Sequence, residues 1–200
     1  MNYYIVKYSG PFGFIKPWTA VRDGGKPTEI HTFSQQFLTP SIVEGIEKKL
    51  FPELLSEQGI KKIVGHRLSY EQINGQQEVI QTRGWNSKKQ GKQFLFERPT
   101  AILVRGILLN PTLHLAFPSF EDSQKAFTQH ICLCRNEDVL LPELVEKIDD
   151  ESFNADVEKY AGYELVFEKN DNSFLVGYNR QNGAPMYGWL KTIGNPVKNY

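Results

Sequence analysis

Cysteine is nearly missing from this sequence: only Cys132 and Cys134 occur in 200 residues. A C-x-C pair with no histidine or cysteine companion cannot close a zinc site. The two thiols read as small buried hydrophobes of a chain kept in a reducing compartment. Net charge is missing as well, because 23 basic residues balance 23 acidic ones, and no global field announces a polyanion partner. No apolar run is long enough to cross a bilayer, and "MNYYIVKYSG" lacks the apolar centre of a signal peptide. A cytoplasmic protein is expected. Histidine is scarce, and His31, His66, His114 and His130 stand at no metal-ligand spacing. The chain has no P-loop, no dinucleotide-type GxGxxG, no G-x-S-x-G and no HExxH. No cofactor, no metal and no catalytic residue is therefore expected.

What is present is a core-forming composition, 40% hydrophobic, that suits one domain over residues 1–200. The charge is unevenly spread. From Lys61 to Arg105 nine basic residues meet three glutamates, and from Glu137 to Glu158 nine acidic residues meet one lysine. Such a split suits a polyanion-binding face with an acidic far side, or two solvated faces.

Strand patterning opens the chain at "NYYIVKYSG", closed by Gly10-Pro11. The segment "FLTPSIVEGIEKKLFP" predicts an amphipathic helix. Thr39 or Ser41 can cap it, Pro40 fits its first turn, and Ser41 with Glu44 matches a capping box. Ile42, Ile46 and Leu50 form its apolar stripe, while Gly45 suggests a close backbone approach. Beyond it, "KKIVGHRLSYEQI" reads as a strand. "QQEVIQTRGWNSKKQGKQFLFERP" reads as two arms around a basic tip. "TAILVRGILLNP" and "TLHLAF" read as strands joined at Asn110-Pro111, and a second helix is capped by Ser119. "ICLC" reads as a strand, "LPELVEKIDD" as helical turns, "YELVFEKNDNSFLVGYNR" as a hairpin and "MYGWLKTIGNP" as a closing strand. This order predicts an α+β, ferredoxin-like or RRM-like sandwich with an inserted hairpin at about 70–96 and a β-rich tail at about 162–195.

Anion-binding residues gather in two places. The tip carries Arg83, Lys88, Lys89 and Lys92 around Trp85, where cations suit phosphates and an indole suits an unpaired base. "FIKPWTAVRD" repeats the composition with Lys16, Trp18 and Arg22, and leads toward the helix start at Thr39, Pro40 and Ser41. Helix N-termini carry free amides and partial positive charge. His31, and His66 beside Arg67, are further phosphate-contact candidates, whereas His114 alternates with leucines in a strand. A histidine such as His31 can also serve as general base in metal-free RNA cleavage.

A strand, a loop and then "FLTPSIVEGI" resemble the N-terminal signature of RAMP-fold subunits of CRISPR effector complexes. "RPTAILVRGILLNPTLHLAF" resembles that fold's central strand. "ICLCRNEDVLLPELVEKI" is similar to its "YLGR-(S/R)-E-D" segment, with Cys134 where the family has glycine. The likeness, from about Met1 to Ile148, is to CRISPR-associated family five. It implies a non-catalytic RNA-binding subunit of a type I Cascade ribonucleoprotein complex for RNA-guided DNA targeting and antiviral defence. Such a subunit caps the 5′ handle of crRNA and packs a hairpin thumb on the backbone subunit, beside the large subunit and target DNA near the PAM. The handle surface would comprise Lys16, Trp18, Arg22, His31, Thr39, Pro40 and Ser41, with Arg83, Arg98 and Arg105 as further phosphate contacts. Two alternatives stay open. One is a metal-independent endoribonuclease acting on precursor crRNA, with His31 as base, suggested by "NGAPMYGWLKTIGNP". The other is an RRM-like protein-interaction domain.

Overall fold

The computed structural model describes residues 2–16, 29–81, 84–179 and 182–198. It begins with β1 (Asn2–Ser9), β2 (Phe12–Gly13) and β3 (Glu29–Phe33), followed by α1 (Pro40–Leu50). Next come β4 (Gly65–Ser69), β5 (Ile73–Gln81), β6 (Asn86–Gln90), β7 (Gln93–Glu97), β8 (Thr100–Leu109) and β9 (Thr112–Phe117). Then α2 (Phe120–Phe127) leads to β10 (Ile131–Cys132), β11 (Val139–Asp149) and α3 (Asp150–Ala155). The described chain closes with β12 (Gly162–Val166), β13 (Phe174–Tyr178) and β14 (Pro185–Ile193).

The strands β1, β4, β9 and β11, with α1 and α2, run in βαββαβ order. They pair antiparallel side by side as β11-β1-β9-β4. Fourth, first, third, second is the ferredoxin-like arrangement, and the fold is α+β as the sequence predicts. Period-two alternation sorts the side chains. Val6, Tyr8, Leu113, Leu115, Leu68 and Tyr70 join Val43, Ile46 and Leu50 of α1 in the main core. Tyr8 donates from its hydroxyl to the Ala126 carbonyl at 2.7 Å, tying β1 to α2. The opposite face carries Ile5 and Ala116 under Phe153 and Tyr160, a second and smaller core.

Several elements differ from their sequence reading. Thr39 is the N-cap of α1 and Pro40 its first residue, but no side chain caps the helix. The Ser41 hydroxyl meets that of Thr39 at 3.0 Å, while Glu44 is taken by Lys48 and the amide of Gly59, so the capping box is not made. Nothing stands within 4 Å of where a Cβ would lie at Gly45, so the glycine marks no close approach. "LPELVEKIDD" is strand β11, because its register against β1 slips between Lys7 and Tyr8, and this bulge accommodates Pro142. β12 and β13 form no hairpin. Both pair with β14, which lies between them and extends the sheet beyond β4. Cys132 is half-buried and Cys134 exposed, so neither is the buried hydrophobe expected.

Candidate nucleic-acid interface

The hairpin is built in two stages. β5 pairs with β8 in an unbroken register from Ile73↔Leu108 to Gln81↔Thr100, with β3 parallel on the other side of β8. Beyond it, β6 and β7 pair only with each other across a Gly91-Lys92 turn, where Gly91 takes a φ of 63°. The sequence reading had joined the first arm to "KQFLFE"; the partner of that arm is "TAILVRGILL".

Every residue of β6 and β7 is exposed. Lys89, Phe94 and Phe96 share one face of this tip, and Lys88, Leu95 and Glu97 the other. Lys88 meets Glu97 at 2.5 Å. Both are solvated, so this pair is easily exchanged for another anion. The Arg98 guanidinium lies 5.6 Å from the Trp85 ring centre, and the indole is 63% exposed. Among the described residues Lys89 and Lys92 have no acidic partner. The tip is therefore cationic, aromatic and open.

At the base of the hairpin the loop entering α1 is pinned to the segment that ends at Lys16. The Ile15 amide donates to the Ser34 hydroxyl at 2.8 Å, and the Gln35 amide to the Ile15 carbonyl at 2.9 Å. Ser34 also donates its amide to the Gly106 carbonyl of β8. Exposed Lys16 and half-exposed His31 thus belong to this base, with His31 Nε2 3.1 Å from Glu29. At the helix start Ser41 is exposed, Pro40 half-buried and Thr39 buried. The amide end of α1 is consequently only partly open. Arg105 is engaged rather than free. It donates to Glu78 at 3.1 Å and lies 5.3 Å from the Phe14 ring. Five residue steps along β8 separate Arg105 from Thr100, roughly 17 Å at about 3.4 Å per step. The candidates therefore fall into a base group and a tip group rather than one cluster. Trp18, Arg22 and Arg83 lie outside the described residues.

Two sequence candidates are removed by burial. Arg67 is 1% exposed and donates to the carbonyls of Phe153 and Tyr160 and to Asn154 Oδ1. It is a core residue, as is His66, and neither reaches a phosphate. The face that RRM-like folds leave open is partly occupied here by α3 and Tyr160, which Arg67 fastens down.

Sequence reasoning missed Arg135. Its guanidinium holds Asp138, which is fully buried, at 2.7 Å, reaches Glu78 at 3.2 Å and lies 5.5 Å from Phe14. Hydrogen bonding to Asp138 raises the Arg135 pKa, with burial opposing. Arg105 and Arg135 therefore share Glu78 and Phe14, stiffening the hairpin base. An Arg three residues before an Asp in "RNED" was the only available signal.

Burial pushes His66 down to about 4, helped by Arg67, and pushes His114 down to about 4, helped by Lys7. A histidine with a lowered folded pKa binds its proton more readily when unfolded. Stability is therefore complete above about 6.5 and drains as pH falls toward about 4. The urea midpoint should drop between pH 7.5 and pH 5, above the range where solvated carboxylates titrate. An unchanged midpoint would show that these imidazoles are not buried neutral.

Among the described residues no group of three or more His, Cys, Asp or Glu could hold a metal ion, and no helix is long and apolar enough to cross a membrane. No family model and no curated protein matches this sequence. Among solved structures, the chain is similar to one from a structure titled "CRISPR RNA-guided surveillance complex". The match has TM-score 0.47 and 11% identity, and covers 97% of this chain and 91% of the other.

Proposed function

We propose that this protein is a non-catalytic RNA-binding subunit of a CRISPR effector complex, with the β6–β7 tip as its phosphate- and base-contacting thumb. The observation that carries the reading is the exposed tip itself, with Trp85, Lys89 and Lys92 at a ribbon that continues from the β5–β8 ladder, in a sheet separate from the ferredoxin-like one. Its support from sequence is the resemblance to CRISPR-associated family five through "FLTPSIVEGI" and "RPTAILVRGILLNP". On this reading the crRNA 5′ handle lies along the hairpin, from Lys16, His31 and Ser41 at the base to the lysines at the tip. Phe94, Leu95 and Phe96, each more than half exposed, are then covered by the backbone subunit.

A handle-bearing RNA should bind wild-type protein in a salt-dependent manner. Replacing Lys88 and Lys89 together by alanine should lower the slope of log affinity against log salt by about 1.4, at about 0.7 per single-strand phosphate. An unaltered slope would remove the tip from the interface. Incubation of precursor RNA in EDTA separates the enzyme alternative: intact RNA accords with a scaffold, and cleavage lost in His31→Ala would establish the endoribonuclease instead.

A further inference from the structure

The main sheet ends at β13, which pairs with β14 and has no described strand on its outer side. Backbone amides and carbonyls on that outer side point away from the single neighbour and form a template for a further strand. The run "FLVGY" of β13 holds neither a charge nor a proline. Every other sheet-ending strand longer than two residues carries a charge: Glu29 in β3, Glu78 in β5, Lys88 in β6 and Glu97 in β7. The free side of β11, past its short ladder with β10, is guarded by Pro142, Glu143 and Lys147. Charges and prolines are common guards against edge pairing, and β13 has neither.

Its side chains make the edge adhesive. Phe174 is 38% exposed, Leu175 44% and Tyr178 62%. Leu175 stands opposite Tyr187 and Tyr178 opposite Pro185, and Tyr187 and Pro185 share a face of β14 by alternation. The register slip between Leu175 and Gly177 therefore leaves Leu175 and Tyr178 on one face, while Val176 is buried. Phe174 lies on the other face and packs on Phe37, 6.4 Å between ring centres. Both faces of the edge are apolar.

The strand that fits such an edge is extended, apolar and uncharged, and the chain carries one in β13 itself. Two copies set antiparallel about an axis normal to the sheet bring Leu175 and Tyr178 of one beside those of the other, with no like charges opposed. The whole chain has no net charge, so no long-range repulsion holds copies apart. Three partly exposed side chains offer on the order of 300 Å² per copy, against the roughly 800 Å² per partner of a standard interface. The contact is therefore reversible, with a dissociation constant above about 1 μM.

We propose that the outer edge of β13 is a self-association surface, which pairs antiparallel with β13 of a second copy and joins two eight-stranded sheets into one. A two-fold contact uses the same edge of both copies, so the assembly closes at a dimer. The surface lies in a different sheet from the thumb, so it stands whether or not the tip binds RNA.

Sedimentation equilibrium from about 1 μM to about 200 μM tests it. The wild-type chain should pass from monomer to dimer, equally at low and high salt, because no ion pair holds the edge. Leu175→Lys and Tyr178→Lys should each weaken the dimer about tenfold or more, since each sets like charges near the axis. Both positions are exposed, so the monomer keeps its fold, which circular dichroism checks. Amide exchange should slow in the dimer at alternate residues of Phe174–Tyr178, the signature of a new ladder and not of side-chain contact alone. Val79→Lys, at a still more exposed apolar position on β5, should leave the dimer intact. A wild-type chain that stays monomeric throughout would overturn the proposal. So would growth beyond the dimer, or a dimer that survives Leu175→Lys and Tyr178→Lys.

Discussion

Glu47→Leu is expected to destabilise the protein by about 3–5 kcal/mol, lowering the thermal midpoint by roughly 10 °C. Glu47 sits on the buried face of α1 and is fully removed from solvent. Its carboxylate accepts the amide of Lys61 at 2.8 Å, that of Lys62 at 2.5 Å and that of Ile63 at 2.8 Å. These amides belong to the loop entering β4, ahead of the ladder that β4 makes with β9 from Gly65 onward. One side chain thus substitutes for a turn of secondary structure. Leucine fills the space but leaves three donors unanswered, of which the buried Ile63 amide alone costs about 1–3 kcal/mol and the part-buried Lys61 and Lys62 amides add to it. Glu47→Gln keeps one carbonyl acceptor and should lose roughly 1–2 kcal/mol. Chemical denaturation of the three proteins gives the ranking, and a leucine variant within 1 kcal/mol of wild type would show that the loop finds other partners.

Nothing in the sequence distinguishes Glu47 from a solvated helix glutamate, which marks where pattern reading ends. The stripe at Ile42, Ile46 and Leu50 is legible because period 3.6 leaves a local trace. A buried acid at the next position leaves none, since its partners lie 14–16 residues further on. Strands β1, β4 and β9 and the helices α1 and α2 were legible for the same local reason. β11 was not, because Pro142 and the charges at Glu143, Glu146 and Lys147 contradict strand propensity. There the bulge absorbs Pro142, and Lys7 pairs with Glu143. The order β12-β14-β13 was illegible because alternation reports a strand's faces and never its neighbour. In the candidate site, the exposed tip was readable from composition, since lysines around Trp85 need no tertiary partner to stay on the surface. Arg67 was misread because an arginine in a basic stretch resembles one that meets phosphate. Its actual ligands, Phe153, Asn154 and Tyr160, lie 86–93 residues away.

Arg67→Ala should cost about 3–5 kcal/mol and loosen a defined segment. The guanidinium donates to the Phe153 carbonyl at 2.7 Å and to Asn154 Oδ1 at 2.8 Å, stacks 4.0 Å from the Phe153 ring, and faces Glu164 at 3.8 Å. Burial lowers its pKa, with Glu164 opposing. Gly162 follows from this packing, since a Cβ there would meet Arg67 Cβ at 2.7 Å and the Leu68 amide nitrogen at 3.0 Å. Alanine at position 67 removes the fork, opens a void under Phe153 and strands the carbonyls that terminate the cover. Arg67→Lys retains charge, but a single ammonium cannot span the same acceptors, so an intermediate loss is expected. Amide exchange separates this account from simple destabilisation. Residues 150–161 should lose protection in Arg67→Ala under conditions where β1 and β9 keep theirs. If exchange rises uniformly, Arg67 supports the whole core and not the cover. If neither stability nor exchange changes, the cover is held by Phe153 and Tyr160 packing alone, and the guanidinium is incidental to keeping this face covered.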